Sequence, residues 1–173
     1  SEFAFVGGCT TSLLLTDAYA HEQVRHTDDV DLIVSVLGWS GWYDTCEKLK
    51  AKGFKESMEE GDPICAMRLN GLRVDFMPDD PAILGFSNEW YGDALRSAAE
   101  FELPGALSIR LVRPEYFLAT KLAAYRGRGN EDPLESRDIE DILALIDGRP
   151  ELMEELLQSP AKLRRYVSKQ LSD

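Results

Sequence analysis

Two stretches decide how this chain folds: Asp29-Val30-Asp31-Leu32-Ile33-Val34 and Leu72-Arg73-Val74-Asp75-Phe76. Both are short, apolar runs interrupted by carboxylates at alternate positions, the pattern of a strand with one buried face. Asp29 and Asp31 therefore point the same way. Asp75 stands in the second run. If the two runs pair as neighbouring strands, three carboxylates meet at one edge of a sheet. Like charges so placed disfavour one another unless a cation sits among them. Hard oxygen donors with few other ligands suit Mg²⁺ held jointly with substrate phosphates. A solvated strand face is the plain alternative, and Arg73, two residues before Asp75 on the same face, offers that carboxylate a different partner.

Working outward, Phe3-Ala4-Phe5-Val6 reads as a strand that ends in Gly7-Gly8 and runs into Cys9-Thr10-Thr11-Ser12. A helix is expected over 9–20. Glycines before a helix start leave backbone N–H groups free to face an anion, and the hydroxyls of Thr10 and Ser12 add donors. Asn70-Gly71 between apolar runs at 64–69 and 72–77 signals a hairpin. A helix over 41–52 stopped by Gly53, a strand over 54–58 and a turn at 59–63 fill the interval. Beyond it, a helix is expected from Trp90 to Glu100, then a break at Leu103-Pro104-Gly105 and a strand over 107–112. Pro114 opens a helix running to about 125. A loop over 127–133 leads to helices at 136–147, 150–158 and 160–171. The fold class is α+β: a mixed sheet with flanking helices and a helical C-terminal part. Residues 1–112 form the sheet core and 113–173 a helical part of the same unit.

A strand ending in Gly-Gly, a helix, a strand with Asp-x-Asp and a later strand with one more Asp resembles the polymerase-beta-like nucleotidyltransferase superfamily. The interval from Gly8 to Asp29 is longer than its commonest form and is closer to the AbiEii toxin-type branch, where an Arg-x-Thr-x-Asp-x-Asp run is frequent. Here it reads Arg25-His26-Thr27-Asp28-Asp29-Val30-Asp31. That branch also carries a helix with a Lys, matched by Lys121 in Pro114–Leu122, and an Arg-Asp-x-x-Asp, matched by Arg137-Asp138-Ile139-Glu140-Asp141. The resemblance spans residues 3 to about 146.

The resemblance implies a Mg²⁺-dependent enzyme that moves a nucleoside monophosphate from a nucleoside triphosphate to an acceptor hydroxyl. Asp29, Asp31 and Asp75 would hold the metal, and Asp75 would also take the acceptor proton. Gly7, Gly8, Thr10 and Ser12 would touch the phosphates. Lys121 would neutralise the leaving pyrophosphate, and Asp138 would position it or wall the site. Asp138 and Asp141 share a helix face, where charge favourable to the helix dipole is the plain explanation. The branch implies a type IV toxin with a cognate antitoxin, acting on a tRNA end or another macromolecule. Related enzymes modify aminoglycosides or proteins instead. A non-catalytic binding module is a further alternative, against which the three carboxylates argue.

The chain has 173 residues and a net charge of −12. That size suits one domain, and the acidity argues against broad nonspecific nucleic-acid binding. Local basic clusters remain at Lys121, Arg126 and Arg128, and at Lys162, Arg164, Arg165 and Lys169. No apolar run is long enough to span a bilayer and no signal peptide is visible. Cys9, Cys46 and Cys65 lack metal spacing and read as reduced thiols of a cytoplasmic protein. The absence of an initial Met suggests that a preceding segment, a helix in related enzymes, is cut away. His21 and His26 lack metal spacing, so an exposed loop is expected there. Arg25 and Thr27 are candidates to approach the nucleotide. Trp39 and Trp42 could stack a base or simply cover the core.

Overall fold

A computed structural model describes residues 2–85, 88–127 and 132–172. Strand β1 (Phe3–Val6) runs antiparallel to β2 (Asp29–Val34), with Val6 opposite Asp31. The second decisive stretch is β5 (Leu72–Pro78), parallel to β2 in a register that sets Asp29 beside Arg73 and Asp31 beside Asp75. Strand β4 (Ala66–Leu69) joins β5 through Asn70-Gly71. Both turn residues have positive φ, 52° and 88°, as a tight hairpin whose twist matches its strands requires. The two-residue β3 (Lys55–Glu56) pairs with β4 at one edge. Beyond β1 lie β7 (Leu107–Leu111), parallel to it, and β6 (Ala99–Leu103), antiparallel to β7. The order is β3-β4-β5-β2-β1-β7-β6, a seven-stranded mixed sheet.

Helices α1 (Thr11–Leu14), α2 (Gly38–Ala51), α3 (Pro81–Leu84) and α4 (Tyr91–Ser97) interleave with the strands. Four more follow the sheet: α5 (Pro114–Gly127), α6 (Arg137–Gly148), α7 (Leu152–Gln158) and α8 (Ala161–Ser172). Alternation along the strands splits the core in two. Ala4, Val6 and Ile33 join α4–α8 residues such as Phe117, Leu118, Leu145 and Leu163. Leu32, Val34, Val74 and Phe76 join Leu49 of α2 on the opposite face. Asp29 and Asp31 are in phase with Ile33, and Asp75 with Met77, so the carboxylates stand on the face that α5 covers. Every residue from Pro114 to Leu122 is buried.

Besides shifts such as the earlier start of α2, the shorter β3 and the added turn of α3, two elements differ in kind from expectation. The helix expected over 9–20 is a 3₁₀ turn at Gly8–Thr10 followed by one α turn, and Leu15 is extended. The N–H groups of Thr16 and Asp17 bond instead to the carbonyl of Gly148, at 2.9 and 3.0 Å, so a tertiary partner replaces the helical one. The helix expected to reach Glu100 stops at Ser97, because Ala99-Glu100-Phe101-Glu102-Leu103 pairs with β7. Its apolar–acidic alternation is a strand pattern.

Candidate active site

The diglycine is where β1 meets the carboxylates. Gly7 has φ +77, and a Cβ there would collide with the Asp31 carboxylate. A Cβ on Gly8 would run into the Arg25 guanidinium and the Thr27 methyl. Both positions require glycine for space, and Gly7 for backbone conformation as well. The backbone of the turn thus lies against the site. Thr10 is fully buried, and its hydroxyl donates to the Gly7 carbonyl at 2.8 Å. That hydroxyl holds the turn together and is not presented to a ligand. Ser12 is half-buried in α1.

Lys121 reaches from α5 to α6, with Nζ 3.1 Å from Asp138 Oδ1 and 2.6 Å from Asp141 Oδ2. The three-residue spacing sets both carboxylates on the inner face of α6, whose N-terminus is capped by Ser136. Asp141, 1% exposed, is the hub. It also accepts from Arg25 Nη2 at 2.9 Å and Nε at 3.2 Å, and from the Thr11 hydroxyl at 3.3 Å. Each charge in this buried assembly has an opposite partner. A cavity of about 80 Å³ lies between Gly7, Asp31, Thr120, Lys121 and Asp138.

The second ionic assembly is not balanced in this way. Burial, with the charges of Asp29 and Asp75 added, outweighs Lys121 and Arg73 and pushes the Asp31 carboxyl up to about 7. Arg73 is clamped on Asp75 by two parallel hydrogen bonds, Nε to Oδ1 at 2.9 Å and Nη2 to Oδ2 at 2.5 Å. Arg73 also lies 3.2 Å from Asp62 and 3.9 Å from Asp29. Its guanidinium is held charged chiefly by the bond to Asp75. The carboxylates therefore meet around an arginine. Asp62 and Arg68 belong to this assembly and were not singled out in the sequence. Arg68 faces Arg73 across β4–β5 and binds Asp62 at 3.0 Å, and only strand pairing reveals that.

Among the described residues, no three His, Cys, Asp or Glu side chains form a ready metal cage. Mg²⁺ needs less, since one or two carboxylates with substrate phosphates suffice. Asp29 and Asp31 fit that requirement: their oxygens are hard, and the Asp31 carboxyl carries a charge its surroundings do not offset. Asp75, with both oxygens in the Arg73 fork, retains further lone pairs. The thiols are poor candidates. Burial pushes Cys9 up to about 11 and Cys65 up to about 12.

A cavity of about 670 Å³ opens beside Asp31 and Asp75 and continues to Glu89, Tyr91, Arg126 and Tyr166. Arg128 and part of the loop expected over 127–133 lie outside the described residues. Trp39 is 63% exposed on α2 and Trp42 packs on the Leu32–Phe76 core, so neither lines this cavity. His21 and His26 are exposed. In the C-terminal basic cluster, Arg164 and Arg165 donate to backbone carbonyls, and Lys162 lies 4.7 Å over the Trp90 ring. No helix among the described residues is long and apolar enough to cross a membrane.

No family model and no curated protein matches the chain. Among solved structures, the chain is similar to the solution structure of the antibiotic-resistance factor ANT(2″)-Ia, an aminoglycoside nucleotidyltransferase, described as revealing substrate-regulated conformation dynamics. The TM-score is 0.52 and the identity 15%, over 99% of this chain and 82% of that one. The fold is nucleotidyltransferase-like. At that identity the likeness carries the architecture alone, and the chemistry rests on the residues described above.

Proposed function

We propose that the chain is a Mg²⁺-dependent nucleotidyltransferase, moving a nucleoside monophosphate from a nucleoside triphosphate to an acceptor hydroxyl. The observation that carries this reading is the Asp31 carboxylate, pressed against Gly7 and flanked by Asp29 and Asp75 in a pocket that also holds Lys121.

The acceptor oxygen attacks the α-phosphorus, an O–P bond forms, the bond to the β-phosphate bridging oxygen breaks, and pyrophosphate leaves. The metal would be held by Asp29 and Asp31 and would supply charge neutralisation at the phosphates. The Gly7-Gly8 backbone lets the phosphates approach closely. Asp75, oriented by Arg73, takes the proton from the acceptor hydroxyl. Lys121, fixed by Asp138 and Asp141, faces the departing charge. Most of the rate enhancement would come from positioning and from charges already in place.

For the acceptor, the favoured reading is a macromolecule such as a tRNA end, as for an AbiEii-like toxin with an antitoxin partner. A second reading, a small cationic acceptor of the aminoglycoside kind, draws support from Glu89 beside Asp31 and Asp75 in the large cavity. Titrating ATP, GTP, CTP and UTP calorimetrically, with and without Mg²⁺, tests the core reading. Mg²⁺-dependent binding that disappears in Asp29→Ala/Asp31→Ala supports it, and wild-type binding by that variant overturns it. Transfer of labelled nucleotide to tRNA or to an aminoglycoside then separates the acceptors. Replacing the exposed Arg165 and Lys169 of this cluster with Ala, and leaving Lys162 and Arg164 to their structural contacts, should impair only the RNA reaction.

A further inference from the structure

A second cavity, about 520 Å³, adjoins Asp29 and is lined by Arg25, Arg68, Arg73 and Arg137, with Thr27 and Asp28 among the other wall residues. Four guanidinium groups thus line one cavity in a chain whose net charge is −12. Three are immobilised by carboxylates. Arg25 is held by Asp141, Arg68 by Glu59 and Asp62, and Arg73 by Asp75 and Asp62. Arg25 puts Nε and Nη2 on Asp141, and Arg68 puts Nη2 on Glu59 and Asp62 and Nε on the Ser57 hydroxyl, so each leaves its Nη1 without a partner among the described residues. Arg137 is exposed at the start of α6 and makes no ion pair among the described residues. Guanidinium edges already fixed in place lose little freedom on binding, and their planar donors match a phosphate's oxygens.

We propose that this cavity is a phosphate site serving the transfer centre. It takes up a phosphate group carried by the polyphosphate tail of the nucleotide or by the acceptor. The proposal rests on the nucleotidyltransferase reading for its role, and on the arginines alone for its chemistry. Gly8 stands against Arg25 and Thr27, two residues of the cavity wall, so the cavity neighbours the turn that the phosphates would approach.

The test is calorimetry on the full chain in EDTA, which removes any binding through a metal. The probes are inorganic tripolyphosphate and a 5′-phosphorylated trinucleotide, each with wild type, Arg68→Ala and Arg137→Ala. Loss of charge-assisted hydrogen bonds should weaken a probe by about tenfold or more in each variant. If tripolyphosphate is the probe affected, the site serves the nucleotide tail. If the trinucleotide is affected, it serves the acceptor. Wild-type affinity of both variants for both probes, or no binding of either probe by wild type, overturns the proposal. Folding of Arg68→Ala is checked by its melting curve. Arg137→Ala removes an exposed side chain that has no ion pair among the described residues, and keeps the test decisive if Arg68→Ala unfolds. The Asp29→Ala/Asp31→Ala variant separates the two levels. Loss of transfer with retained tripolyphosphate binding supports both, whereas unimpaired transfer defeats the catalytic reading and leaves the phosphate site standing.

Discussion

The Lys121–Asp138–Asp141–Arg25 assembly and the Asp29–Asp31–Asp75–Arg73 assembly use the same residue types a few residues apart in space, yet they are built on opposite terms. In the first, every buried charge meets an opposite charge, and the hub Asp141 is tied to α5 through Lys121, to the segment before β2 through Arg25 and to α1 through Thr11. In the second, Asp75, Asp62 and Asp29 share one arginine on two central strands, and Asp31, which makes no ion pair among the described residues, is left with a carboxyl pushed up to about 7. Balanced charge holds helices to the sheet. Unbalanced charge is tolerated where a ligand is expected to supply the remainder, which is where function concentrates.

The balanced assembly depends most on Asp141. Asp141→Ala leaves Lys121 with Asp138 alone and Arg25 with only the more distant Glu140, and removing one partner of a buried ion pair costs about 3–5 kcal/mol. Denaturant unfolding should record that loss at unchanged m-value. Stability near wild type would mean that the assembly does not hold the helices. Asp31→Asn should act with the opposite sign. A carboxyl held near 7 when folded, against 3.8 when unfolded, binds its proton more tightly in the folded state. Its stabilising contribution is present below pH 4 and is lost as pH rises towards 7. At the limit this is worth about 4 kcal/mol. The metal-free Asp31→Asn protein should therefore melt higher than wild type at pH 8, with a flatter stability profile between pH 4 and 7, while nucleotide transfer is abolished. A lower melting temperature at pH 8 would show that Asp31 is already compensated.

Gly7→Ala sharpens the contrast at the seam between the two assemblies. A Cβ forces a positive φ on a residue that resists it and pushes on Asp31, at a combined cost of about 2 kcal/mol or more. Thermal melting should reveal it, and transfer should fall further than the stability loss accounts for, since the carboxylate must move. The smallest effect is expected at Trp39→Ala. This exposed side chain touches neither assembly, so stability should change by no more than about 0.5 kcal/mol. Nucleotide affinity should not change, and a drop in that affinity would bring base stacking by Trp39 back into consideration.

Much of the fold was legible because its signals are local. Asn70-Gly71 between alternating runs calls for a hairpin, and the apolar run after Pro114 calls for a buried helix. Alternation alone puts Asp29 with Asp31 and Arg73 with Asp75. Other elements were hidden because their cause is distant. Nothing near Leu15 says that the helix must stop there, since the competing acceptor is the Gly148 carbonyl. The strand at Ala99–Leu103 is legible in its alternation but merges with the helical run before it, and its partner β7 settles the matter.

The sequence by itself determined which groups carry charge, which face of each strand they occupy and where the chain must turn, because these follow from side-chain period and from the conformations open to Gly, Asn and Pro. Which charges meet was settled by packing. The parallel register of β2 on β5 set Asp31 beside Asp75. The packing of α6 on α5 gave Lys121 to Asp138 and Asp141. The hairpin brought Arg68 and Arg73 to one wall. Partnership depends on distance and desolvation in space, and those are created when segments far apart in the chain are buried together.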